Sequence, residues 1–400
     1  MKTRRDTERS RVGMALRAVR GERSEAADGR CAAAATPTTS LTLARRTARS
    51  AVPTRLRRAR SWPFALLIFS AAHFAASEAV AARLEVVEIT SAKLRGNPLG
   101  DPATRRLAVF LPDDAKDAAR VPLVVYLPGW GGSSEDAIAA GAGAWFGQVV
   151  DQLAARGRPV RIAVVDGRSR YGGSQFLNSA ATGDYADYVA DEIVPALTKG
   201  GAQTCIIAGH SSGAYGALLL AMGHHEKFPA VVALSPDSDF GTTHKPLVEQ
   251  PSVRAVTPAE LDAAMAPAKT ARLPADGTAR LVMGLCANYA PTAGQAGRFD
   301  WLYDAAGHWR AEAWARWLAL DPLTLVREKP DAFAPAQRIY LDGAEHDEFG
   351  ANIGAAKIHT VLRERKAPAT FYEAPGHHSD RLPERLIRGL AWVLEKPDAK

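Results

Sequence analysis

The sequence predicts an α/β fold in which a mostly parallel central sheet is flanked by helices. Apolar, β-branched runs alternate with helix-forming segments along the 400-residue chain, and such alternation is typical of parallel sheets. The run at 123–127 is apolar throughout, as expected for a strand covered on both faces. A second run, 204–208, leads through Gly209-His210-Ser211-Ser212-Gly213 into a strong helix former.

The elements follow in order from these runs and from their flanking residues. Pro112 ends the second strand, Ser133 or Ser134 is expected to cap the first helix, and Asp184 is expected to cap the second. The predicted strands are 84–90, 105–111, 123–127, 162–165, 204–208, 231–234, 338–341 and 370–372, and the predicted helices are 134–156, 185–197, 214–222 and 309–320.

The alternation stops between 235 and 337, a stretch that carries prolines, alanines and several large aromatic residues. We therefore expect a cap-like insertion at about 238–325, between the sixth and seventh core strands. Its aromatic side chains either line a substrate pocket or pack the insertion onto the body. They are Trp301, Tyr303, Trp309, Trp314 and Trp317.

The net charge of +7 arises in the first part of the chain. The chain has 50 basic residues (Lys and Arg) and 43 acidic residues (Asp and Glu). Residues 1–60 hold 16 of the basic and 5 of the acidic residues, so 34 basic and 38 acidic residues remain in 61–400. The body is therefore mildly acidic, and this argues against nucleic-acid binding by the folded part.

The N-terminal segments predict export. We interpret 1–54 as a disordered basic leader, either a true extension or a start placed upstream of the real one. Residues 55–82 read as a signal peptide, with an arginine-rich start, an apolar run at 62–76 and Ala79-Val80-Ala81 as cleavage site. The mature domain, 83–400, would then be secreted or periplasmic with no stable membrane span. An uncleaved anchor is the alternative.

Cysteine usage indicates neither a disulfide framework nor a metal site. Cys31 lies in the leader, and Cys205 and Cys286 lie in apolar runs, where a disulfide between them is one alternative. We expect no metal and no cofactor.

Ser211 is the candidate nucleophile, because it occupies the centre of a G-x-S-x-G motif between a strand and a helix. Such a turn exposes the serine hydroxyl at a helix N-terminus, where the helix dipole favours developing negative charge. The alternative is a small-residue turn in an ordinary strand–helix unit.

A serine needs a base and a carboxylate to become a nucleophile. The loops after the last two strands hold the acids Asp342, Glu345 and Asp347 and the bases His377 and His378, and Asp237 is a further acid after an earlier strand. Residue type alone leaves both choices open.

An oxyanion hole needs two backbone N–H groups. We assign one to Ser212 and the other to Trp130, which lies in the glycine-rich loop 128–132 after the third strand. This loop lacks the Lys-Ser/Thr ending of a nucleotide-binding loop.

Five short motifs occur in order along the chain. They are Leu127-Pro128-Gly129-Trp130-Gly131-Gly132, Asn178-Ser179 with Thr182-Gly183-Asp184-Tyr185, the turn 209–217, Tyr340-Leu341-Asp342 with Asp347-Glu348-Phe349, and Pro375-Gly376-His377-His378. In combination they resemble the esterase D / antigen 85 type of esterases in the α/β-hydrolase superfamily, over about residues 105–390. The resemblance implies an α/β-hydrolase fold, with Asp347 as acid and His378 as base.

The chain departs from this family in three places. Pro128 stands where the family has histidine, Ser212-Gly213-Ala214 replaces its Met-Gly-Gly, and Ser379-Asp380 replaces its Asp-Trp. The departures leave the reaction class intact and put substrate choice in doubt.

Together these features predict a secreted serine carboxylic-ester hydrolase with a Ser-His-Asp triad, an acyl-enzyme intermediate and a backbone oxyanion hole. The expected substrate is a small-molecule or polymer-linked ester. Alternatives are an acyltransferase with the same triad and a siderophore-ester hydrolase. An inactive binding protein is disfavoured because every catalytic element is present.

Overall fold

An eight-stranded sheet organises the chain, which we describe from a computed structural model over residues 82–113, 120–199 and 204–395. The strand order is β1-β2-β4-β3-β7-β8-β9-β10, and a two-stranded ribbon, β5-β6, lies apart from it. β1 and β2 pair antiparallel, as do β2 and β4, and the remaining neighbours are parallel. The strands are β1 (Arg83–Thr90), β2 (Thr104–Leu111), β3 (Leu123–Leu127), β4 (Arg161–Val164), β5 (Asn178–Ser179), β6 (Gly183–Asp184), β7 (Cys205–His210), β8 (Ala230–Leu234), β9 (Arg338–Ala344) and β10 (Ala369–Ala374).

The helices of the body flank this sheet. Before the turn at 209–213 they are α1 (Ser134–Ala140), α2 (Trp145–Ala155), α3 (Tyr185–Asp187), a π-helical turn (Tyr188–Ile193) and α4 (Val194–Leu197). After the turn they are α5 (Ser212–Gly223), α13 (Ala351–Glu364) and α14 (Leu382–Leu394). Both faces of the central strands are buried, which explains the continuous apolar runs of β3 and β8.

Two helix predictions are wrong in detail. The single helix expected at 134–156 is two helices, because Gly141 ends α1 with φ 72° and the chain turns before α2. Ser133 caps α1 in a capping box with Asp136. Asp184 precedes α3 but makes no side-chain cap. Asn178 does so instead, since its Oδ1 accepts from the backbone N–H groups of residues 186 and 187.

Seven helices occupy the described stretch between β8 and β9. They are α6 (Phe240–Thr243), α7 (Lys245–Val248), α8 (Pro251–Arg254), α9 (Pro258–Ala264), α10 (Gly277–Tyr289), α11 (Ala311–Leu318) and α12 (Pro322–Glu328). α11 is shorter than the predicted helix 309–320. Trp301, Tyr303 and Trp317 are buried in an apolar cluster with α10, so these three side chains pack the segment rather than line a pocket.

Cys205 and Cys286 are both free and buried, so the disulfide considered from the sequence does not form. Cys205 is the first residue of β7 and belongs to an apolar cluster on the sheet. Cys286 lies in α10 and belongs to a separate apolar cluster in the segment between β8 and β9. Residues 1–81, which carry the predicted leader and nearly all of the predicted signal peptide, lie outside the described part. Within that part, no helix has the length and apolar character needed to cross a membrane.

Candidate active site

Ser211 occupies a strained turn between β7 and α5. Its backbone has φ 55° and ψ −124°, a region that costs a residue other than glycine about 1–3 kcal/mol. The turn is held from both sides, since Ser211 N–H donates to the Leu234 carbonyl at 2.9 Å and its carbonyl accepts from Tyr215 N–H at 2.9 Å. These two hydrogen bonds hold the serine in the strained conformation, at the carboxyl end of the parallel strands.

The two motif glycines are required by close approach of backbone segments. A Cβ on Gly209 would lie 2.4 Å from the Gly213 carbonyl carbon. A Cβ on Gly213 would lie 1.9 Å from the Leu127 carbonyl oxygen. A side chain on Gly209 would push α5 away from β7, and one on Gly213 would push the turn away from β3, so the sequence pattern around Ser211 has a steric cause.

His378 and Asp347 form a buried pair at the ends of β10 and β9. The His378 Nδ1 to Asp347 Oδ2 distance is 2.7 Å, and their side chains are 6% and 0% exposed. Asp347 Oδ1 accepts from the N–H groups of Phe349 at 3.1 Å and Ala351 at 3.3 Å, at the start of α13. Burial acts to raise the pKa of Asp347, but the hydrogen bond and charge of His378 outweigh it, so the pKa lies below its ordinary value.

Three neighbours fix the backbone of His378. Its carbonyl accepts from His210 Nε2 at 3.1 Å and from Arg385 Nη1 at 2.9 Å, and its N–H donates to Glu348 at 3.0 Å. Burial lowers the pKa of His210 to about 3, so that imidazole stays neutral and can donate through Nε2. These contacts hold the backbone of His378, and the hydrogen bond with Asp347 directs Nδ1 of its ring towards that carboxylate.

The other candidate acids and base are placed differently. Asp342 pairs with Arg385 through two hydrogen bonds of 2.7 and 3.0 Å, a fully buried ion pair that leaves it no role beside a histidine. The side chain of Glu345 is 56% exposed and that of His377 66% exposed. Among the candidate acids and bases, Asp347 and His378 form the acid–histidine contact.

The Ser211 hydroxyl faces Asp237 in this structure. Its Oγ lies 3.5 Å from Asp237 Oδ1. The Nε2 atom of His378 is buried and has no hydrogen-bond partner among the described residues. Catalytic hydrogen bonds are often formed only in the substrate complex, and an unpartnered Nε2 is the atom that a general base requires.

The predicted oxyanion loop lies against the nucleophile. A Cβ on Gly129 would be 3.4 Å from the Ser211 Cβ and 3.2 Å from His210 Nδ1. Ser212 opens α5, so its N–H has no partner within the helix. Trp130 and Ser212, the two assigned donors, line one small pocket with Gln175.

Sequence reasoning missed three residues that shape the site: His210, Arg385 and Gln175. His210 was the variable position of the motif, and Arg385 falls on the apolar face of an amphipathic helix, which is a signal for a buried ion pair. Gln175 has φ 51° in a loop, and nothing in its sequence surroundings marks it.

Comparisons with known proteins concern the family and the fold of the chain. A family model described as "Putative esterase" matches residues 102–383. No curated protein matches the chain. An S-formylglutathione hydrolase from Agrobacterium tumefaciens is similar in structure, with TM-score 0.50 and 16% identity over 78% of this chain and 95% of that one.

Two further solved structures have TM-scores of 0.49. A fluorophosphonate-binding serine hydrolase from Staphylococcus aureus is 13% identical over 79% of this chain and 99% of its own. A ferulic acid esterase is 16% identical over 78% of this chain and 97% of its own. The likeness to the S-formylglutathione hydrolase, at TM-score 0.50, concerns the fold alone, and together with the sheet order it confirms the predicted α/β-hydrolase fold.

Proposed function

The chain belongs to the putative esterase family, and from this premise we propose that it is a serine carboxylic-ester hydrolase acting through Ser211, His378 and Asp347. The observation that carries the proposal is the buried 2.7 Å pair of His378 and Asp347, formed by loops that end two neighbouring parallel strands. The strained backbone of Ser211 supports the assignment of the nucleophile.

In the proposed acylation step the Ser211 hydroxyl turns from Asp237 towards His378. Its oxygen attacks the ester carbonyl carbon while Nε2 takes the proton. The carbonyl π bond breaks to leave an oxyanion, and collapse of that intermediate expels the alkoxide, which receives the proton from His378. Asp347 holds the imidazole in the tautomer with Nδ1 protonated and stabilises the imidazolium.

The backbone N–H groups of Ser212 and Trp130 are the proposed oxyanion donors. Ser212 is supported by its place as first residue of α5, where the helix dipole also favours negative charge. Trp130 is supported by the contact of its loop with Ser211. Loss of one such donor typically costs about 10²–10³ in rate.

Deacylation by water completes the cycle. Ser211 is half-buried and Phe349, whose ring lies 4.8 Å from that of His378, is 42% exposed. This partial exposure supports access of water to the acyl-enzyme, so hydrolysis is the proposed outcome rather than transfer to a bound hydroxyl acceptor. Small-molecule or polymer-linked esters of carboxylic acids remain the proposed substrates.

Export belongs to the same proposal. The arginine-rich segment, the short apolar run and Ala79-Val80-Ala81 support a cleaved signal peptide and a secreted or periplasmic enzyme.

Hydrolysis of a panel of p-nitrophenyl and aryl esters by the full chain tests the proposal. Ser211→Ala should lose about 10⁶-fold in turnover while staying folded, and Ser252→Ala, a matched change in α8, should not. A folded Ser211→Ala protein with wild-type turnover would refute the mechanism.

A further inference from the structure

We propose that Asp237, oriented by Gln175, forms a subsite for a hydrogen-bond donor on the acyl group of the substrate. The subsite would select esters whose acyl chain carries a hydroxyl or an ammonium group near the scissile bond, and it would reject acyl groups that carry a carboxylate. The inference rests on the proposed ester hydrolysis at Ser211 and names the substrate class of that site.

The Asp237 carboxylate lies beside the nucleophile without a cation. Its Oδ1 is 3.5 Å from Ser211 Oγ, and its Oδ2 accepts from Gln175 Nε2 at 3.2 Å. No Lys, Arg or His of the described ranges forms an ion pair with it. His244 is buried nearby, but burial lowers its pKa, so it stays neutral and supplies no counter-charge.

Gln175 orients the Asp237 carboxylate through a hydrogen bond. Its side chain is 1% exposed, and the bond to Asp237 fixes the amide with Nε2 towards the acid. The opposite atom, Oε1, is buried, and the Tyr289 hydroxyl lies beside the amide. Gln175 also lines the pocket that contains Trp130 and Ser212.

The backbone carrying Gln175 is strained and firmly anchored. Gln175 and Phe176 both have φ 51°, a conformation rare for residues with side chains. The Phe176 side chain fills the space beside Gly167 and Gly216, where an added Cβ would come within 2.3 and 2.7 Å of it. This packing holds Gln175 in place against Asp237.

The position of Asp237 assigns the subsite to the acyl side. The leaving alkoxide must receive its proton from His378 Nε2, so the alcohol part of the ester lies towards His378. The Ser211 hydroxyl, by contrast, faces Asp237 and not Nε2. The acyl chain is therefore the part of the substrate that contacts the half-buried Asp237 carboxylate. Because this carboxylate accepts hydrogen bonds and has no cation beside it, it favours an acyl chain that carries a hydrogen-bond donor.

The test compares four p-nitrophenyl esters with the full chain: those of butanoate, 3-hydroxypropanoate, 3-ammoniopropanoate and malonate. The first three place a methyl, a hydroxyl and an ammonium group at the same position. We expect kcat/KM for at least one donor-bearing ester to exceed that for butanoate by about 10- to 100-fold, the range of a hydrogen bond to a charged group. The malonate ester should be the poorest substrate. The hydroxyl and ammonium arms show which donor is preferred.

Asp237→Asn should bring the donor-to-butanoate ratio close to one and improve the malonate ester relative to butanoate. Gln175→Leu, which removes the group that orients the carboxylate, should lower the ratio as well. Asp239→Asn is the matched control, because Asp239 pairs with Lys357 outside this subsite, and it should keep the wild-type ratio.

Equal kcat/KM for all four esters, or a ratio unchanged in both Asp237→Asn and Gln175→Leu, would overturn the subsite while leaving ester hydrolysis intact. Collapse of turnover on every ester in Asp237→Asn would overturn it as well, by making Asp237 the triad acid. Hydrolysis of none of the esters, or equal hydrolysis by Ser211→Ala, would instead refute the proposed function and the subsite with it.

Discussion

Asp347→Asn should abolish turnover by reversing the tautomer of His378. Asp347 Oδ1 accepts two backbone N–H groups, from Phe349 and Ala351. An asparagine would keep its carbonyl oxygen there and turn its NH₂ group towards His378 Nδ1, 2.7 Å from the present Oδ2. Nδ1 must then accept, so the imidazole proton moves to Nε2, which can no longer take the proton of Ser211.

The expected loss is about 10⁴-fold in turnover, equivalent to about 5 kcal/mol of transition-state stabilisation. The assay is turnover of a p-nitrophenyl ester, with urea unfolding to show that the variant is folded. Glu345→Gln is the matched control, since that side chain is exposed on the same loop. Turnover of Asp347→Asn within tenfold of wild type, with collapse in Asp237→Asn, would place the acid after β8 and refute the reasoning.

Three further outcomes are expected. His378→Ala should lose about 10⁶-fold in turnover, whereas His377→Ala, an exposed side chain, should stay within a few fold; the reverse order would shift the motif by one residue. The pKa of His210 is lowered from 6.5 to about 3 in the folded protein. Between these pH values the unfolded chain binds a proton at His210 and the folded protein does not, so the free energy of unfolding falls as the pH falls. In urea titrations His210→Gln should therefore make the fall shallower by about 1.4 kcal/mol per pH unit, and an unchanged slope would contradict its neutral burial. N-terminal sequencing of exported protein should find a start just after Ala81, and a start upstream of Trp62 would indicate an anchored form.

The sheet was predictable because both faces of its central strands are buried, and burial leaves a direct trace in the sequence. β3 matches its predicted bounds, and β8 begins one residue earlier than expected. The helix at 134–156 was not predictable in one respect. A single glycine is tolerated inside a helix, so the sequence does not show that Gly141 ends one.

The candidate site also contains residues that the sequence predicts and residues that only the folded structure reveals. Ser211, Asp347 and His378 sit in short motifs at the ends of strands, so chain order alone suggests that they converge. Asn178 and Gln175 act through the tertiary structure: one caps a helix eight residues away, and the other reaches a carboxylate 62 residues on. Arg385 could be noticed as a charge on the apolar face of an amphipathic helix, but its partner Asp342 is set only by the packing of α14 on the sheet.

Covalent labelling tests whether Ser211 is the nucleophile. A fluorophosphonate ester transfers its phosphonyl group to an activated serine with loss of fluoride, and the adduct is read by peptide mass spectrometry. The account predicts one adduct per chain, on the peptide that contains Ser211, with matching loss of ester hydrolysis and no adduct in Ser211→Ala. Full esterase activity with Ser211 unlabelled, or labelling of another serine at the rate of inactivation, would contradict it.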